Sequence, residues 1–219
     1  STSISGVFTP QINRIVARGE GDEQLTKLFT RVGRIQFMLL MLVLTGFVFV
    51  GEPFICAWGG EEYGAAYWIA LLLIAPVTVP LIQNIGIEIQ RAKNMHQFRS
   101  KVYFCMAIGN ALVSIPLGMK FGGIGCALGT AISMVVGNGF IMNWYYQTHI
   151  GLDMRYFWKH ILSIVPAMLP AVALGIIAVR LHTFAGYAGV VTFAVPYAAV
   201  YAVGLYLFAM DESEKNMVR

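Results

Sequence analysis

Six stretches of the chain, residues 35–50, 65–82, 102–117, 124–146, 161–179 and 187–210, are almost free of charge, with polar loops between them. A bilayer core about 30 Å thick is crossed by roughly 17–25 helical residues. Most of the stretches reach that length once their uncharged polar flanks are counted, the first and third at the short end. The pattern predicts an all-α membrane protein, a polytopic bundle of about six transmembrane helices. Residues 1–34 read as the end of a truncated preceding helix followed by a basic loop. Residues 35–146 hold four spans, 147–160 a loop, 161–210 two trailing spans and 211–219 a tail. With no initiator Met and no cleavable signal, the opening segment around Pro10 and Asn13 reads as the C-terminal part of a longer chain being entered midway.

Composition agrees with this reading. Of the 219 residues, 58% are hydrophobic and 12% charged, against about 25% charged in a soluble domain. Too few polar side chains exist to coat a water-facing surface. Charge distribution then sets an orientation. Alternate loops hold 13 of the 15 Lys and Arg: Arg14, Arg18, Lys27, Arg31 and Arg34 in the first, Arg91, Lys93, Arg99 and Lys101 in the next, then Arg155 with Lys159, and Lys215 with Arg219. The intervening loops hold only Lys120 and Arg180, and the segment 51–63 carries Glu52, Glu61 and Glu62 without a base. Basic loops are retained in the cytoplasm, so both ends of the chain are expected there. Aromatic residues gather at the span boundaries, Trp58, Tyr63, Tyr67 and Trp68 outside and Trp144, Tyr145, Tyr146, Tyr156 and Trp158 inside, as interfacial belts do. Basic residues confined to short loops exclude a nucleic-acid face.

Polar and irregular positions inside the spans come next. Pro76 and Pro80 remove two backbone donors four residues apart and predict a kink, with further breaks at Pro116, Pro166, Pro170 and Pro196. Membrane helices also simply carry more Pro and Gly. Residues 120–123 read as a tight glycine turn, and Gly125, Gly129, Ser133 and Gly137 as a small-residue stripe for close helix approach. Gln83, Asn84, Glu88, Arg91 and Asn110 are candidates for a substrate path. Glu88 admits two readings: an ion pair with Arg91 three residues on, or a cavity-lining, proton-carrying carboxylate. On the second, Glu88→Gln impairs transport more than Glu61→Gln. Asn110, Asn138 and Asn143 suit interhelical hydrogen bonding. Cys56, Cys105 and Cys126 match no metal or redox spacing, and His96, His149, His160 and His182 are scattered. No catalytic motif is visible, so no enzyme activity and no cofactor are expected.

Several motifs together resemble a known family. Phe54-Ile55-Cys56-Ala57-Trp58-Gly59-Gly60 with Tyr63, Ala66 and Tyr67 is similar to the outer loop of bacterial polysaccharide flippases. Residues 80–87 (PLIQNIGI) are similar to their next helix, and Ala92-Lys93-Asn94-Met95-His96 with Arg99-Ser100 to the loop that follows. Gly122-Gly123-Ile124-Gly125 and Gly129-Thr130-Ala131 resemble the later glycine hairpin, and Met142-Asn143-Trp144-Tyr145-Tyr146 with Ile150-Gly151-Leu152-Asp153 its inner end. The likeness covers residues 4–160. The family comprises O-antigen, capsule and exopolysaccharide repeat-unit transporters of the multidrug/oligosaccharidyl-lipid/polysaccharide exporter superfamily.

That resemblance implies the C-terminal lobe of a two-lobed transporter of about 12–14 helices around a cationic cavity, working by alternating access. The implied substrate is an undecaprenyl-diphosphate-linked oligosaccharide repeat unit, flipped from the cytoplasmic to the outer leaflet of a bacterial inner membrane. Proton or sodium coupling and contact with polysaccharide polymerase machinery are the implied partnerships. Arg14, Arg34 and Arg99, with Arg91, are inner-mouth candidates for attracting the diphosphate; setting topology is their plainer role. A multidrug/cation antiporter of the same superfamily, or a non-transporting partner of a polysaccharide synthase, are the other readings.

Overall fold

A computed structural model describes residues 6–19, 21–181, 186–211 and 214–215. His182, most of the 180–186 turn and much of the tail, Arg219 included, lie outside them. The described residues are mostly helical and hold no strand. The helices are α1 (Thr9–Arg18), α2 (Asp22–Gly59), α3 (Ala65–Ile82), α4 (Ile85–Ala92), α5 (Gln97–Met134, continued by π-helical turns to Ile150), α6 (Met154–Leu162), α7 (Val165–Leu181) and α8 (Gly186–Phe208). Five helical runs are long and apolar enough to cross a membrane when 97–150 is taken as one, and no more than 33% of any apolar window is buried. Side chains such as Leu39, Phe104, Leu112, Met119, Ile177 and Phe208 stand exposed. Apolar exposure on that scale is unfavourable in water and neutral in lipid. This is the pattern of a multi-pass membrane protein.

The chain divides into two compact units, residues 1–37 with 72–161, and 38–71 with 162–219. In the first, α1 is a ten-residue amphipathic helix, about 15 Å long and so half a bilayer core. It buries Ile12 and Ile15 and packs on α4. Leu25, Leu28, Phe29 and Val32 of α2 are buried, with the Phe29 ring 4.7 Å from Phe157 and 5.7 Å from Tyr146. Gly33 makes this possible, because a Cβ there would lie 2.6 Å from the Phe157 ring. Helix α3 runs unbroken through Pro76 and Pro80. The expected break falls just beyond them, at Gln83–Asn84, where the chain loosens into turns before α4 begins.

Run 97–150 would be about 80 Å long if straight. It is not straight. Gly122 has φ 61 and ψ −140, a conformation that only glycine adopts readily. Gly125 then lies against the Leu117 carbonyl, Gly129 against Ser114 and Gly137 against the Met106 sulfur. Those pairings step in opposite directions along the sequence, so residues 97–121 and 123–150 are the two arms of an antiparallel hairpin. The turn and the small-residue stripe take the places expected of them.

Where the second arm ends, Gly151 adopts φ 83 with Asp22 against it, leaving no room for a Cβ. Asp153 caps α6, its Oδ1 accepting from the amides of Arg155 and Tyr156 at 3.0 Å each. Its own amide donates to Thr26 Oγ1 at 3.2 Å. Lys93 pairs with Asp22 and donates to the Ile150 carbonyl at 2.6 Å. One knot thus joins the start of α2, the loop before α5 and the end of the hairpin.

The second unit holds α7 and α8 as a closely packed pair, with Gly204 seated on the Ala167 carbonyl. Tyr201 donates to the Met38 carbonyl at 2.8 Å and Tyr67 to the Val48 carbonyl at 2.9 Å. Phe49, Phe193, Tyr197 and Tyr201 form a run of ring contacts between these.

Candidate functional site

Three helical faces in the first unit enclose a cleft of about 410 Å3. Helix α3 and its end supply Val77, Pro80, Leu81 and Asn84, the first hairpin arm Arg99, Tyr103, Met106, Ala107 and Asn110, and the second arm Thr130, Ser133, Met134 and Asn138, so polar groups stand in a largely apolar wall. Positions 99, 103, 106 and 110 recur at the spacing of a single helix face. From Arg99 to Asn110 is about 16 Å along the axis, from the basic loop to roughly half the depth of a bilayer core.

The polar groups are cross-linked. Arg99 donates to the Tyr146 hydroxyl at 3.1 Å and to the Tyr103 hydroxyl at 2.7 Å. Tyr103 in turn donates to Asn138 Oδ1 at 2.9 Å. Deeper in, Asn110 Oδ1 accepts from Ser114 at 2.6 Å and Thr130 at 3.3 Å. Among the described residues no carboxylate pairs with Arg99. Its charge is held in place by neutral hydroxyls and a ring face 4.8 Å away, which orient a cation without neutralising it. The cleft therefore offers an anion one fixed guanidinium and a file of uncharged hydrogen-bonding groups.

Of the residues singled out from sequence, Asn84, Arg99 and Asn110 meet in this cleft. Gln83 does not: it is buried and donates to Asn143 Oδ1 at 3.0 Å. Asn143 Oδ1 also accepts from Trp158 Nε1 at 2.9 Å, and its amide donates to the carbonyls of Asn138 and Gly139 at 2.8 Å each. All four capacities of that amide are used. Glu88 is paired with Arg91 at 2.9 Å, outside the cleft, which is the ion-pair reading of that residue. Arg34 is buried and donates to the His160 carbonyl at 3.1 Å, so it offers no charge to a mouth. Arg14 is exposed on α1. Tyr103 and Tyr146 went unmarked from sequence. The helical spacing 99, 103, 106, 110 would have found the first; Tyr146 read only as an interfacial aromatic.

Compared with protein-family models, with curated proteins and with solved structures, the chain matches none.

Proposed function

We propose that this protein moves a lipid-linked, diphosphate-bearing oligosaccharide repeat unit from the cytoplasmic to the outer leaflet by alternating access. Such a substrate has a tail that prefers the bilayer and a head that cannot cross it unaided. A transporter for it needs a polar route with an anchor for the phosphates, inside an otherwise apolar body. The observation that carries the reading is Arg99, half-buried at the entrance of a cleft that holds a file of polar groups among apolar ones, and without a carboxylate partner. The family resemblance of residues 4–160 points the same way.

On this reading the Gly122 hairpin contributes two spans, which makes six, with both ends of the chain cytoplasmic in a bacterial inner membrane. The coupling ion is H+ or Na+, and polysaccharide polymerase machinery receives the product. The test is complementation. The complete gene is placed in a bacterium lacking its polysaccharide flippase, and surface glycan and inner-leaflet intermediates are both quantified. Restored glycan with cleared intermediates is expected. Arg99→Ala should cut export at least about tenfold at equal membrane expression, the scale of a lost charge-assisted hydrogen bond, while Arg99→Lys retains part of it. Full export by Arg99→Ala would remove the central support. Drug-stimulated proton flux without a glycan phenotype would move the assignment to the multidrug/cation antiporter.

A further inference from the structure

A second groove, of about 420 Å3, lies along the same hairpin and shares Met106 and Ser133 with the first cleft. Its lining is more uniformly apolar. Cys105, Gly109, Val113, Ile132 and Val136 make an apolar wall, and Lys101 stands at one end. Lys101 is exposed. Among the described residues its ammonium has no hydrogen-bond or ion-pair partner. It lies in the second turn of α5, at the end of the hairpin that carries the basic loop.

We propose that this groove is a binding site for an anionic glycerophospholipid, with one acyl chain along Gly109 and the phosphate on Lys101. Two observations select that occupant. From Lys101 to Val113 the groove runs about 18 Å, close to the roughly 15 Å depth of one leaflet's hydrocarbon. An unpaired ammonium where the chain enters complements a phosphate, as basic groups between membrane helices do for anionic lipid headgroups. The inference needs only the membrane setting and holds whatever the transported substrate is.

The structure supplies its own control. A Cβ at Gly109 meets nothing within 4 Å, so a side chain introduced there starts into open groove, and Gly109→Phe is the variant that fills it. The experiment is mass spectrometry of the intact protein released from membranes of equal phosphatidylglycerol and phosphatidylcholine, counting the lipid retained. Wild type should retain phosphatidylglycerol with a preference of about fivefold, the attraction of one basic side chain to an anionic lipid. Lys101→Gln should reduce the preference to near one while lipid is still retained. Gly109→Phe should lose the retained lipid altogether at unchanged melting temperature. Equal retention of both lipids by wild type, a preference that survives Lys101→Gln, or lipid retained by Gly109→Phe would each overturn the assignment. So would a lipid-free dimer that Gly109→Phe disrupts.

Discussion

Asn143 ties several separate elements together. It accepts from the α3–α4 break and from α6 while donating to its own π-helical turn. Asn143→Leu strands two donors, the buried Gln83 at about 1–3 kcal/mol and the half-buried Trp158 at less. The melting temperature of the purified protein should fall by several degrees, and Asn143→Asp should fall too, because it keeps the acceptor but turns a carboxylate oxygen on the carbonyls of Asn138 and Gly139. Glu88 and Arg91 present the contrary case. Their side chains are 19% and 65% exposed, so a double-mutant cycle should return a coupling of at most about 1 kcal/mol. A larger value would mean that Glu88 has business beyond its neighbour. At this scale the sequence was partly legible. Asn84 and Asn110 could be chosen because polar groups inside apolar runs are expensive and therefore purposeful, and Arg99 only as one of several loop cations at an inner mouth. Gln83 was misplaced because its direction depends on the break at Gln83–Asn84, which resets the helical phase. Arg34 was placed at a water-facing mouth because the local pattern cannot show that its partner carbonyl, His160, comes from 126 residues away.

Among the elements, the hairpin 97–150 decides the most. Its turn was readable, since a glycine pair between two apolar runs has few other uses. Its register was not, because that is set by which glycine meets which backbone across the seam. Gly122→Ala forces an alanine into a glycine-only conformation at a cost of about 1–3 kcal/mol, and folded yield should drop. Gly109→Ala, on the open side of the same helix, should be neutral or mildly stabilising. Thermal melts of the two variants side by side check the pair. If both behave alike, the chain does not reverse at Gly122. Helix α3 teaches a related lesson: Pro76 and Pro80 bend nothing out of helical form, and the interruption falls beyond them, where Asn143 offers Gln83 a side-chain partner.

For the molecule as a whole, the apolar blocks and the alternation of basic loops were plain in the sequence, because lipid imposes both directly. Division into two units was not, since it cuts through α2 and α3 and follows packing rather than chain order. Topology is open to direct measurement. Single cysteines introduced at Glu61 and Lys120 in a cysteine-free background should react with an impermeant maleimide from outside the cell. Cysteines at His96 and Arg155 should react only after the membrane is permeabilised. Lys120 reacting from the same side as His96 would rule out the six-span reading.

The knot of Asp22, Lys93, Gly151 and Asp153 also carries a consequence for the order in which the protein is made. Thr26 waits for the amide of Asp153, 127 residues later, and at about 5–20 residues per second that wait lasts roughly 6–25 s. Through that interval the start of α2 has at most the Lys93–Asp22 pair to hold it, and only the arrival of the hairpin's far end completes the knot. Chains stalled before residue 150 should be cleaved by a membrane protease near Asp22, and chains released after α6 should be spared. Closure of the knot is thus a late event, completed only when the hairpin has gone in and come back.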